Sequence, residues 1–287
     1  MNTLGASTYL WASPFGDGRV DLFAHARDLG CDVLEICIED PALVTPAAMQ
    51  AAASEAGVAV SVCGAFGPER DVSHEDESVR RGALAYLRGL VDLAAAVGSP
   101  HVAGPMYSAT GRTRLLPPDE RERQRRLAIE SLAEIADYAG ERGVALAIEP
   151  LNRFETDLVN TVEQGLELCE RIGRPNAGLL LDTFHMNIEE RSLPEAIRLA
   201  GERVLHVHAC ENDRGAPGTG HVDWDGVLAA LAGIGYTGQI VIESFTPEIR
   251  EIARAVSLWR PVAESSDELV RTGLAFLRSS RAAVEVS

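Results

Sequence analysis

What most constrains this chain is an alternation that runs from one end to the other. Short β-rich apolar runs are separated by longer stretches in which apolar residues recur at helical spacing. Strands are expected at Leu4–Tyr9, Val33–Ile38, Ala59–Phe66, His101–Met106, Ala145–Leu151, Ala177–Asp182, Val204–Cys210 and Gln239–Ser244. Between them, segments such as Val79–Val97 and Arg121–Arg142 carry the apolar stripe of an amphipathic helix. Several helices run into a glycine and then a strand, as at Asp28-Leu29-Gly30, Glu55-Ala56-Gly57, Glu141-Arg142-Gly143 and Gly233-Ile234-Gly235, which suits a left-handed C-cap. Strands alternating with helices imply right-handed crossovers and a parallel sheet, an α/β fold. Eight such units without a linker-like shift in composition fit a closed (β/α)8 barrel, one domain over residues 1–287. An open doubly wound sheet would want a glycine fingerprint after its first strand; here that strand runs into Trp11-Ala12-Ser13-Pro14-Phe15. The irregular stretch Ser257–Asp267 reads as the connection to a last helix, Glu268–Arg278, followed by a frayed tail.

Composition narrows the class of function. With 46% hydrophobic and 24% charged residues the chain is not a disordered or low-complexity sequence. Its 26 Lys+Arg against 43 Asp+Glu give a net charge of −17, which repels phosphate backbones and anionic lipid. Neither nucleic acid nor a membrane is therefore expected as a partner. No window reaches the roughly 18 apolar residues of a membrane span, and MNTLGASTYLW lacks a basic, then apolar, leader pattern. The five cysteines, an odd number without a CxxC pair, read as buried reduced thiols. Together these features lead us to expect a cytoplasmic protein.

The chemistry is written where strands end. Ala147-Ile148 leads into Glu149, Leu180-Leu181 into Asp182, His206-Val207 into His208, and Val241-Ile242 into Glu243. In a parallel barrel the carboxyl ends of the strands form the mouth at which catalytic groups gather. One acidic residue there would pass for a helix N-cap or salt-bridge partner, and a histidine in HVH for a core residue. Four in succession at equivalent places aim three carboxylates and one imidazole at a common point. That donor set suits one hard divalent ion, Mn²⁺, Mg²⁺ or Co²⁺, better than it suits a thiolate-loving one. Glu155, His185 and Arg214 follow these positions closely and are each expected in a βα loop able to reach over the metal. The glycine-rich loop Gly215–His221 could cradle phosphate but reads better as a mobile loop over a substrate.

At these residues the sequence resembles the xylose-isomerase-like TIM barrels, and within them the ketose 3-epimerases that act on D-tagatose, D-allulose and L-ribulose. The resemblance rests on an ordered set of motifs: IEPLNRFETD, LLLDTFHMNIEE, HVHACENDRGAPGTGHVDW, IVIESF and SLWRP. It implies metal ligands at Glu149, Asp182, His208 and Glu243, acid/base roles for Glu149 and Glu243, and substrate contacts at Glu155, His185 and Arg214. It also implies a homodimer or homotetramer. The stretch GPMYSATGR departs from the D-tagatose and D-allulose pattern, so the resemblance leaves the particular sugar open.

The implied reaction makes chemical sense of the residues. Inverting the carbon beside a ketone removes a weakly acidic C–H proton and returns one to the opposite face. Two carboxylates on opposite sides serve this, with a divalent ion as Lewis acid for the developing enediolate. His185 and Arg214 would meet the oxygen on which charge grows. An aldose–ketose or keto-inositol isomerase could use the same barrel and metal. A DNA-repair endonuclease of related fold would want further histidines and a basic groove, which seven histidines and a charge of −17 disfavour.

Overall fold

The eight apolar runs do become eight strands: β1 (Thr3–Ser7), β2 (Val33–Ile38), β3 (Ala59–Gly64), β4 (His101–Gly104), β5 (Ala145–Ile148), β6 (Ala177–Asp182), β7 (Val204–Ala209) and β8 (Gln239–Ile242). They pair in sequence order and β8 returns to β1, closing an all-parallel barrel. This is a computed structural model, and it describes residues 2–285. Among the described residues ten α-helices clothe the barrel: α1 (Asp21–Asp28), α2 (Pro46–Ala56), α3 (Glu77–Val97), α4 (Pro118–Gly140), α5 (Val162–Ile172), α6 (Thr183–Glu189), α7 (Leu193–Ala200), α8 (Trp224–Gly233), α9 (Arg250–Ala255) and α10 (Ser266–Glu285). Their apolar stripes, such as Leu84, Leu87, Leu90, Val91 and Ala94 of α3, bury against the strands. Among the described residues no helix is long and apolar enough to cross a membrane.

Most strands start where the apolar run starts but stop sooner than it does. β1 yields at Ser7 to a 3₁₀ turn over Thr8–Leu10, and β4 and β5 stop at Gly104 and Ile148. At Gly104 the reason is visible: φ is +124°, and a Cβ would lie 3.0 Å from Phe66 and 3.1 Å from the Gly64 carbonyl. The backbone leaves the ladder there to line the mouth. The four glycines expected to cap helices, Gly30, Gly57, Gly143 and Gly235, all have positive φ. The frayed tail expected after Arg278 is instead helical to Glu285, and residues 286–287 lie outside the described residues. The five cysteines are free and buried.

Side-chain alternation divides each strand between two cores. Leu34, Ile36 and Ile38 of β2 face the helices, with Val60, Val62, Leu146 and Ile148. Cys37, Cys63, Ala103, Ala147 and Leu180 pack together inside the barrel with Tyr9 and Phe245. The same inward parity brings Glu35, Ser61, His101, His206 and His208 into the barrel, all buried. This polar interior carries the mouth.

Candidate active site

Asp182 closes β6 and opens α6 at once. Its Oδ1 accepts from the backbone N–H groups of Phe184 (2.7 Å) and His185 (3.2 Å), while Oδ2 points into the mouth. One oxygen thus serves as the helix cap while the other faces the mouth. The cap also starts the helix that carries His185, which stands in the first turn of α6 and not in a loop as expected.

His208 is level with Asp182 across the β6–β7 ladder. Its Nε2 donates to Glu35 Oε1 at 2.8 Å; Glu35 Oε2 accepts from His206 Nε2 (2.7 Å) and Ser61 Oγ (3.0 Å). Glu35, fully buried on the far side of the barrel, keeps its carboxyl well below the ordinary range because the neighbouring His208 and His206 outweigh the cost of burial. With Nε2 committed to Glu35, His208 turns Nδ1 to the mouth. There it lies 3.4 Å from Glu243 Oε2, 3.7 Å from Glu149 Oε1 and 3.8 Å from Asp182 Oδ2.

One ligand atom from each of Glu149, Asp182, His208 and Glu243 lies within 4.8 Å of the others. His208 Nδ1 and Glu149 Oε1 are buried there without a hydrogen-bond partner. Buried polar atoms are almost always satisfied, and these two orphans face one point at which a cation could be held. Burial, with the negative charges of Glu243 and Asp182, pushes Glu149 up to about 8, against the pull of His208. Burial also opposes charge on His208, but Glu243 and Glu35 prevail and hold it well above the usual histidine range. A proton on Nδ1 would have no aligned acceptor, whereas a divalent ion would take that lone pair and the three carboxylates together. The donor set fits such an ion.

Arg214 adopts φ +68°, a left-handed conformation that costs a residue with a Cβ roughly 1–3 kcal/mol. The turn is held by Arg214 N–H to Glu211 O (3.0 Å), Glu211 N–H to Gly215 O (3.0 Å) and Ser244 Oγ to Arg214 O (2.6 Å). The guanidinium then donates to Asp182 Oδ2 (2.6 Å) and Glu243 Oε2 (3.0 Å), and its other nitrogen lies 3.0 Å from His185 Nε2. Burial pushes His185 down to about 4, so its ring is neutral at physiological pH. Asn152 joins the remaining groups: its Nδ2 donates to Glu155 Oε1 at 2.8 Å and its backbone N–H to His185 Nδ1 at 3.1 Å.

The structure therefore brings all seven sequence-derived residues to one mouth. Glu149, Glu155, His185, Arg214 and Glu243 line a cavity of about 380 Å³ whose other end is apolar, with Phe66, Pro68, Ile252 and Val256. A larger groove of about 610 Å³ runs outside the mouth past Trp11 and Pro261 and carries none of these seven. The Gly215–His221 loop, expected from its glycines to be a mobile cover, is packed against its neighbours in the structure. Glu211, fully buried, accepts from Gly218 N–H (2.8 Å), Val222 N–H (3.2 Å) and Trp224 Nε1 (2.6 Å), and Gly218 is pressed against Phe276. Glu35, Asn152 and Glu211 escaped the sequence reading. Only Glu35 carried a signal, a charge in the middle of the buried run VLEICI.

Residues 23–280 match the family described as xylose isomerase-like TIM barrel. A probable ketose 3-epimerase from Synechocystis is 34% identical over 96% of both chains. The chain belongs to the ketose 3-epimerase family. Two solved members of the ketose 3-epimerases superpose closely on it. One, an L-ribulose 3-epimerase, has a TM-score of 0.93 at 30% identity and covers 99% of this chain and 96% of its own. The other, a D-allulose 3-epimerase from Methylomonas in complex with D-allulose, has a TM-score of 0.91 at 31% identity and 97% coverage of each chain.

Proposed function

We propose that this chain inverts C3 of a free ketose of the D-allulose/D-fructose, D-tagatose/D-sorbose or L-ribulose type. Glu149, Asp182, His208 and Glu243 hold one divalent ion, Mn²⁺ in preference to Co²⁺ or Mg²⁺. The observation that carries this reading is the pair of unpartnered buried atoms, His208 Nδ1 and Glu149 Oε1, inside a four-residue donor set. When bound, the ion supplies Lewis acidity toward the ketose oxygens.

The chain's own residues do the rest. Glu149 and Glu243, from strands three places apart in the closed order, flank the cavity. One takes the C3 proton and the other delivers a proton to the opposite face. Each such group contributes roughly 10²–10⁴ in rate. The Arg214 guanidinium and a neutral His185 meet the charge that grows on the C2 oxygen, and Glu155, tied to Asn152, fixes the C1 end. Among the described residues Arg214 is the only arginine on the cavity, and it is already engaged by two carboxylates, which supports a free sugar over a sugar phosphate.

We further read residues 1–287 as one domain of a cytoplasmic homodimer or homotetramer. The core running from Leu4 to Leu277, the free cysteines, and the exposed Leu115 and Phe154 on adjoining loops support this reading. Turnover in D₂O tests the chemistry. Deuterium should enter C3 of the product and spare C1, chelation should stop turnover, and Mn²⁺ should restore it. Glu149→Gln and Glu243→Gln should each lose more than ~10² in rate, since the base is also a ligand. Label at C1 with ketose–aldose interconversion would instead mark an isomerase.

A further inference from the structure

Two thiols meet on the inner wall of the barrel. β2 and β3 pair so that Cys37 stands directly opposite Cys63, and both belong to the cluster inside the barrel. Cys63 lines the sugar cavity; Cys37 is fully buried behind it, with its sulfur 3.1 Å from Ser7 Oγ. The two sulfurs and a carboxylate oxygen of Glu35 lie within 4.8 Å of one another. Neither thiol has a part in the proposed epimerisation.

Glu35 retains capacity for a further ligand. A carboxylate offers about four lone-pair sites. His206 and Ser61 take two on Oε2 and His208 takes one on Oε1, so one on Oε1 stays open. The donor chemistry is also the opposite of that at the mouth. Three carboxylates and an imidazole favour a hard ion, whereas two sulfurs beside one carboxylate favour a soft one. A hydrogen bond to Cys37, together with burial, raises the Cys63 thiol well above its ordinary range. An incoming ion must therefore displace thiol protons.

We propose that Cys37, Cys63 and Glu35 form a second cation site, selective for thiophilic divalent ions, whose occupation from the cavity blocks the enzyme. Capture is an exchange without redox change: two S–H bonds break, two metal–sulfur bonds form, and two protons leave per ion. The ion would sit in the wall of the sugar cavity through Cys63. It would share Glu35 with His208, so sugar and catalytic centre both feel it. The site does not rest on the proposed reaction; only its inhibitory effect does.

Cd²⁺ added to the Mn²⁺-loaded enzyme is the probe. One equivalent should produce the ultraviolet thiolate-to-cadmium band, release two protons and remove turnover in step with the band. A small dithiol chelator should restore turnover, and excess Mn²⁺ should not. Cys37→Ser should lose the band and the Cd²⁺ sensitivity while keeping Mn²⁺-dependent turnover, and Cys63→Ser should lose the band. Absence of the band in the unaltered enzyme, its persistence in either serine variant, or full rescue by Mn²⁺ would overturn the site. The band and proton count read binding directly, so they separate its failure from a failure of the epimerase reading.

Discussion

His208 has two ring nitrogens with separate duties, and Glu35 decides which does what. A histidine that donates one N–H to a carboxylate presents its other nitrogen in a fixed direction and with raised basicity. Glu35→Gln keeps the shape but replaces one acceptor oxygen by an NH₂, which must then face an N–H of His206 or His208. Mn²⁺ affinity, measured by calorimetry, should weaken roughly 10–100-fold while the circular dichroism spectrum stays native. Unchanged affinity would show that Glu35 does not orient the ligand. The four strand-end residues were legible because each ends an apolar run, a local pattern. The partnership of Glu35 was not legible, because His206 lies 171 positions away and only barrel closure brings the two together.

Loops after strands were the least legible elements. The three glycines between 215 and 221 suggest freedom, yet all three serve close approach. A Cβ on Gly220 would lie 2.4 Å from Asn212 and 2.5 Å from Glu211, and one on Gly218 would lie 2.4 Å from Phe276. A glycine needed for flexibility and one needed for contact look the same until the neighbour is known. Gly218 also has φ +89°. Gly218→Ala should therefore destabilise the protein by roughly 1–3 kcal/mol, read as a lower Tm. Because Arg214 directly precedes this loop, kcat/KM should fall as well; a variant with unchanged Tm and turnover would show the loop to be slack. Strand ends were overextended for a related reason: apolar residues continue past Gly64, Gly104 and Ile148, but there they line the mouth instead of pairing.

Across the whole molecule the buried ionisable groups set a pH dependence that metal should reverse. Glu149, at about 8 in the fold against an ordinary 4.5, holds a proton that the unfolded chain has released. Its contribution to stability is lost as pH rises through about 8. His208, raised above 6.5, acts with the same sign. His185, lowered to about 4, and His101 and His206, also lowered, act with the opposite sign, but only below their ordinary 6.5. Between pH 6.5 and 8 the metal-free protein should therefore lose stability, and Mn²⁺ should raise Tm more at pH 8 than at 6.5. Thermal scans with and without chelator check this; a metal-free Tm that climbs over that interval would refute it. The closed order of strands has one more consequence. The four donors come from β5 to β8, their buttress Glu35 comes from β2, and the ring is sealed only where β8 meets β1. A centre that needs both halves of the ring, the donors and their Glu35 buttress, is incomplete in a half-built barrel. Bound Mn²⁺ should then slow unfolding while leaving the refolding rate unchanged, so that stopped-flow traces show a shift in one limb of the chevron alone. The ion would lengthen the lifetime of the native ring without hastening its birth.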